Sequence, residues 1–337
     1  MISVSVFNNK GGVGKTTFVC NFASYLSIVL KRRVLIIDAD PQCNATSYLL
    51  TEDELIDRYS KATGTIHDVT VPLRRGKGYF SRDLPIIKNS RFKVDLIPGD
   101  PRISLFEDFL ATDWISAKNG DGRGLQTTLF IKDILQRERD NYDYIFFDVG
   151  PSLGAINRTV LIGSDYYILP MSSDIFSLRA LENISISTKD WASGISDGLS
   201  KYQQTEGEEY SSDFNPKWTL KFCGYVTQQY TSKEVEGKKR PVRAYEKIIS
   251  EIPIRINEYL AESFSRSDNF NPHLGEIPNL HSLIPLSQSA HVPIIALKGK
   301  HGVVGAHFYK IEEYSKLLKG ISEIFINNIE KNDTVAE

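Results

Sequence analysis

Asn8-Asn9-Lys10-Gly11-Gly12-Val13-Gly14-Lys15-Thr16-Thr17 follows directly on the apolar run Ile2-Ser-Val-Ser-Val-Phe7. A short strand, a glycine-rich turn and a helix-compatible stretch from Thr16 to Leu30 together wrap backbone N–H groups around phosphates. Gly11, Gly12 and Gly14 leave room for close backbone approach and permit positive φ where a side chain would clash. Lys15 is placed to reach the β- and γ-phosphates as a point charge, and the Thr16 hydroxyl to ligate Mg²⁺. With Val13 and Thr17 completing the cradle, residues 10–17 read as a nucleotide-phosphate site. The regular phosphate-loop spacing asks for a glycine at position 9, which holds Asn9 instead.

Working outward, two more apolar runs end in carboxylates. Arg33-Val-Leu-Ile-Ile-Asp38-Ala-Asp40-Pro-Gln and Tyr142-Asp-Tyr-Ile-Phe-Phe-Asp148 both read as strands. Parallel strands in open α/β sheets deliver ligand groups from their C-terminal ends, so the three runs are expected to converge on one crevice. Asp38 and Asp40 also suit a strand-end turn closed by Pro41, and Asp148 suits a helix cap. Carboxylates beside a phosphate loop repel the ligand unless a cation intervenes, and this favours a Mg²⁺ site with Thr16, Asp38 and Asp148 as its ligands or supports.

Lys10-Gly-Gly-Val-Gly-Lys15-Thr16 resembles the deviant Walker A motif of the ParA/MinD superfamily of P-loop ATPases, which carries an extra lysine at the position of Lys10. Asp38-Ala-Asp40-Pro41-Gln42-Cys-Asn44-Ala-Thr46 is similar to the ParA/Soj branch, and Asp148-Val-Gly-Pro151-Ser152 to its Walker B region. Weaker matches run from Leu169-Pro170 to Leu181-Glu182, from Ser282 to Pro293, and from Gly302 to Ile324. Residues 52–92 and 200–280 fit poorly. The resemblance implies a doubly wound, mostly parallel α/β sheet flanked by helices. It would form a single P-loop NTPase domain over 1–330, with insertions near 52–92 and 200–280 and a tail at 331–337. It further implies a Mg·ATP-dependent ATPase in which Asp40 orients or activates the attacking water. Lys10, which by itself reads as a solvated loop lysine, is implied to reach across a homodimer to phosphates bound by the other subunit. Lys10, Lys15 and Asp40 are thus the expected catalytic residues. Gln228 and the Pro285 turn are candidates for the adenine by family position.

The 337 residues carry a formal net charge of −2, so overall attraction cannot drive nucleic-acid binding and any such site must be a local patch. ParA-like proteins typically bind DNA non-specifically as ATP dimers. The densest basic cluster here is Lys238-Lys239-Arg240-Pro-Val-Arg243. Lys298-Gly-Lys300-His301 and the stretch from Arg74 to Lys93 are further basic runs. A charge run is as readily a solvated face as a phosphate-binding one. The resemblance implies a stimulating adaptor, ParB-like or other, and a role in positioning plasmid or chromosomal DNA or other cargo. Service in another DNA-related process, such as defence against mobile elements, is an alternative.

A MinD-like membrane role would need a basic amphipathic terminal helix. Phe308–Asn327 has apolar residues near helical spacing, but the chain ends Asn-Asp-Thr-Val-Ala-Glu. Core packing is therefore the expectation for this helix, and no membrane contact is expected. No run approaches the roughly 20 apolar residues that span a bilayer. With no basic-then-apolar leader before the first strand, the expected location is cytoplasmic, nucleoid-associated when ATP is bound. Cys20, Cys43 and Cys223 lack metal or disulfide spacing, which weighs against a reductase resembling the nitrogenase iron protein.

Further strands are expected at Lys93–Pro98, Tyr166–Pro170, Leu220–Val226 and Leu280–Pro285. Helices are expected at Lys15–Leu30, Gln126–Arg139, Leu178–Trp191 and Phe308–Asn327. Asn119-Gly-Asp-Gly-Arg-Gly124 has the composition of a loop.

Overall fold

The computed structural model describes residues 1–206, 218–230, 232–235, 238–241, 243–264 and 270–333. Its strands are β1 (Ile2–Val6), β2 (Val34–Asp38), β3 (Ile87–Asn89), β4 (Val94–Ile97), β5 (Tyr144–Asp148), β6 (Tyr166–Ser172), β7 (Lys221–Tyr230), β8 (Ser232–Val235), β9 (Lys238–Pro241) and β10 (His273–Pro278). Eight of them form one sheet in the order β10-β7-β6-β1-β5-β2-β4-β3, parallel except for β3, which runs antiparallel to β4 at the edge. β8 and β9 pair separately as an antiparallel hairpin.

The continuous apolar runs of the sequence have a simple cause: the central strands are buried on both faces. Successive residues feed opposite layers. Leu35, Ile37, Ile145 and Phe147 pack into one cluster with helices that include 107–118, 130–138 and 155–163. Val34, Ile36, Tyr144 and Phe146 pack into the other, with helices 15–28 and 306–333. Because β1, β5 and β2 are parallel neighbours, Val6 lies in register with Asp148 and Asp38 with the same Asp148. This register brings the three strand ends together, as the sequence led one to expect.

Several elements differ from expectation. Leu280–Pro285 is not a strand; a turn leads into helix Leu283–Ala290, and Pro285 sits in its first turn, where no backbone N–H is required. The seventh parallel strand is instead β10, an irregular edge strand in which Leu274 and Ile277 are buried. The glycine-rich run at 119–124 does not remain a loop. Asp121 caps a helix over Gly122–Thr128 by accepting from the Gly124 N–H at 2.7 Å. Gly124 is needed there because a Cβ would stand 2.5 Å from the Ala117 amide nitrogen of the neighbouring helix. The expected helix Gln126–Arg139 is broken at Leu129 into Gly122–Thr128 and Phe130–Glu138. The helix expected at Leu178–Trp191 runs from Ile175 to Glu206.

Helix Ala306–Asp333 packs in the core through Tyr314, Leu318, Ile321, Phe325 and Ile329, while Phe308 is exposed. Among the described residues no helix is long and apolar enough to cross a membrane.

Candidate functional site

The loop leaves β1 and enters helix Lys15–Ile28 through Gly14 at φ 74°, with Gly12 at φ 72°. These two positions need glycine; position 9 does not, because its φ is not positive, and Asn9 therefore fits there. No side chain caps the helix N-terminus, so its first amides are left to an anion. Asn8 braces the loop, donating to the Pro170 carbonyl at 2.7 Å and accepting from the Lys10 amide at 2.9 Å. Lys15 Nζ lies over the loop, 3.2 Å from the carbonyls of both Asn8 and Lys10. Burial pulls the Lys15 ammonium below its ordinary pKa, against the opposing attraction of Asp148 and Asp40.

Asp148 ends β5 with its side chain wholly buried. Its Oδ2 accepts the Thr16 hydroxyl at 2.8 Å, while its Oδ1 has no hydrogen-bond partner. Burial, with the Asp38 carboxylate next, pushes Asp148 well above the usual carboxylate range, although Thr16 and Lys15 oppose the shift. A buried carboxylate oxygen without a donor, paired through its other oxygen with a phosphate-loop hydroxyl, suits Mg²⁺, a hard cation that takes oxygen ligands. Among the described residues no cluster of three or more His, Cys, Asp or Glu forms a metal site. A cation here would therefore share its shell with phosphate oxygens and water.

Asp38 lies beside Asp148 but is engaged differently. Its Oδ2 accepts from both the amide and the hydroxyl of Thr46, at 2.8 and 2.6 Å, and its Oδ1 meets the Asp40 amide at 3.3 Å. Gly99 closes over it, donating to the Thr46 hydroxyl at 2.7 Å. Burial pushes Asp38 up to about 7, partly offset by the Thr46 bonds. The strand-end turn considered from sequence is thus present, and Asp38 holds it. That turn presents Asp40, which is 5 % exposed, with Oδ1 accepting the Gln42 amide at 3.0 Å. Gly150 lies under it: a Cβ there would stand 3.2 Å from Asp40 Oδ1.

The loop, Asp40, Asn44, Tyr48, Pro151 and Gln288 enclose a cavity of about 620 Å³. Gln228, at the end of β7, covers Gly14 so closely that a Cβ there would stand 2.1 Å from its Oε1, and its buried Nε2 has no partner. Lys10, Gly11, Gly12, Val13, Gly14, Lys15, Thr16, Thr17, Asp38, Asp40 and Asp148 therefore occupy one neighbourhood. Pro285 lies within helix Leu283–Ala290, which brings Gln288 to the same cavity.

Two residues missed from sequence also act here. Asn157 holds the loop after β5 by donating to the carbonyls of Gly150 and Ser152, both at 2.7 Å. Asp174 pairs with Lys10. The Ser-Ser-Asp ahead of an apolar helix was a legible cap signal, but a partner 164 residues away was not.

The side chains of Lys238, Lys239, Arg240 and Arg243 lie outside the described residues; the backbone places the first three in β9 and the fourth at the start of helix Arg243–Leu260. Lys298, Lys300 and His301 surround a short exposed turn. Cys20, Cys43 and Cys223 are buried free thiols, and burial pushes Cys43 up to about 12.

A family model described as an AAA domain matches residues 1–198. An uncharacterised protein of Methanocaldococcus jannaschii is 30% identical over 243 residues, covering 71% of this chain and 78% of its own length. The sporulation initiation inhibitor protein Soj of Bacillus subtilis is 29% identical over 182 residues, covering 54% of this chain and 62% of its own. The chain thus spans less than two thirds of Soj. The crystal structure of a Corynebacterium diphtheriae protein superimposes with a TM-score of 0.71 at 29% identity, over 86% of this chain and 97% of that one. Together with the loop and carboxylate geometry, these matches place the chain in the family of ParA/MinD-type P-loop ATPases.

Proposed function

We propose that the chain binds and hydrolyses Mg·ATP at the β1–β5 crevice as a ParA-type switch. In this reading ATP promotes a homodimer, the dimer binds DNA non-specifically, and hydrolysis releases it, so that plasmid or chromosomal DNA or another cargo is positioned with help from an adaptor. The observation that carries the reading is the buried Asp148 carboxylate, bonded to Thr16 through one oxygen and unpartnered at the other. Similarity to Soj supports the partition role.

Each group has a distinct task. The amides of Gly11 to Thr17 and the Lys15 ammonium bind the phosphates. Thr16 and Asp148 would hold Mg²⁺, which neutralises charge that develops on the phosphoryl oxygens. Asp38 supports that shell from behind by fixing the turn through Thr46. Asp40, with Oδ1 anchored to the Gln42 amide, accepts a proton from the attacking water at Oδ2. Lys10 supplies positive charge to the phosphates of the other subunit, much as an arginine finger does. Gln228 contributes to the nucleotide pocket beside Gly14. Lys238, Lys239, Arg240 and Arg243 contact DNA phosphates. The domain spans 1–330 with insertions near 52–92 and 200–280, of which residues 52–92 and 228–280 serve as adaptor surfaces.

The test is light scattering with Mg·ATP combined with a DNA gel shift. The wild-type protein should dimerise, Lys10→Ala should bind nucleotide yet stay monomeric, and Asp40→Ala should accumulate on DNA. DNA affinity should fall with salt, by a log–log slope of about −0.9 per phosphate contact. A wild-type protein that remains monomeric with saturating Mg·ATP refutes the switch; one that binds no nucleotide refutes the site.

A further inference from the structure

Lys10 does not point into solvent. Its ammonium is paired with the Asp174 carboxylate and also donates to the Ser172 hydroxyl at 3.0 Å; Ser172 in turn donates to Asp174. Both charged side chains are about two-thirds removed from water, 28% and 32% exposed. Burial alone would raise Asp174, but hydrogen bonds from Lys10 and Ser172 outweigh it and leave the carboxyl below its ordinary range.

The carboxylate cannot follow Lys10 elsewhere. Asp174 stands immediately before helix Ile175–Glu206, and its Oδ1 accepts the amides of Phe176 and Ser177 at 2.9 and 3.2 Å. Ser172 is equally fixed as the last residue of β6. Lys10 is anchored at its backbone, its amide on Asn8 and its carbonyl under Lys15 Nζ. Only the Lys10 side chain is free to swing. An ammonium held by a fixed carboxylate of its own chain has less to gain from phosphates on another, because the first pairing must be given up. Next to the pair, Ile175 and Phe176 are 54% and 70% exposed, an apolar tip adjoining the lysine.

We propose that Asp174 is a positioning residue that latches Lys10 within its own chain, and that opening this latch sets the ATP concentration at which a second copy is engaged. The inference rests on the reading of Lys10 given under Proposed function. A partly exposed ion pair limits the effect to a few-fold, which suits a threshold rather than a block.

Two measurements on the full chain separate the latch from that reading. In the nucleotide-free protein, acylation of Lys10 by an amine-reactive probe, followed by peptide mass spectrometry, should be about threefold faster in Asp174→Asn than in wild type. Asp174→Glu should restore the slow rate. Asparagine keeps the helix cap, so folding is preserved. Equal labelling in wild type and Asp174→Asn overturns the latch whether or not the chain dimerises. In light scattering, Asp174→Asn should dimerise at about threefold lower ATP than wild type. An unchanged or raised midpoint overturns the proposal. A wild-type chain that never dimerises removes the reading of Lys10, while the labelling experiment still reports on the ion pair.

Discussion

The crevice at the ends of β1, β2 and β5 and the flank built from residues 51–102 are both rich in carboxylates, and they use them in opposite ways. On the flank, carboxylates are committed to the fold. Glu54 closes a capping box with Thr51 and forks onto Arg91; Asp68 accepts the Gly64 and Thr65 amides; Asp100 accepts Thr65 and three donors of Arg102. In the crevice, Asp148 keeps one buried oxygen without a donor, and Asn9 and Gln228 likewise carry unpartnered buried atoms. The flank is not free of unpartnered buried atoms, since His67 Nδ1 and Arg91 Nε are among them. The contrast lies in the carboxylates, because buried Asp100 has donors on both oxygens whereas Asp148 keeps one oxygen without a donor. That orphaned oxygen is a cost to stability that a bound ligand would offset.

Four substitutions break or sharpen this contrast. The largest effect is expected at Asp40→Ala, where steady-state ATP turnover should fall by about 10²–10⁴ while nucleotide affinity is kept; turnover within tenfold of wild type removes Asp40 from the chemistry. Next is Asp100→Ala on the flank. Asp100 is 1% exposed, and its loss strands the buried Thr65 hydroxyl and the Arg102 guanidinium, so urea unfolding should show a loss of about 2–3 kcal/mol. Asp148→Asn should do the reverse. Unfolding without nucleotide should show a gain of about 1 kcal/mol, because a disfavoured buried carboxyl is gone, while the added stabilisation from Mg·ATP over ATP alone disappears.

The smallest effect is at Glu54, held down to about 2 chiefly by the hydrogen bonds from Arg91. A carboxyl whose folded pKa lies below its unfolded value of about 4.3 stabilises the fold above that value and loses this contribution as pH falls toward 2. Glu54 is 43% exposed, so Glu54→Gln should cost under about 1 kcal/mol at pH 7. The difference should shrink between about pH 4 and pH 2, and a gap as large at pH 2 as at pH 7 would exclude this ionisation as its source.

Much of the crevice was legible because its residues sit at strand ends. Asp38 and Asp148 each close a run of apolar residues, and parallel pairing then aligns them. What could not be read was the division of labour between them. Asp38 and Asp148 are neighbours with similar sequence contexts, yet Thr46, eight residues on, satisfies one, whereas the other accepts its side-chain hydrogen bond from Thr16, 132 residues back. The edge of the sheet was equally opaque. β10 carries Gly275 and Pro278 and buries two apolar side chains, so it lacks the pattern of a strand, whereas Leu280–Pro285 has an apolar pattern but begins a helix. Long-range packing, not local periodicity, decided both.

From the order of residues alone came the glycine-rich loop between strand and helix, the parallel α/β architecture and the acidic strand ends, because glycine conformations and runs buried on both faces leave local traces. Tertiary structure alone decided which carboxylate oxygen is left without a hydrogen-bond partner, and that Lys10 rests on Asp174. These are contacts between segments brought together only when the sheet closes, and no spacing along the chain encodes them.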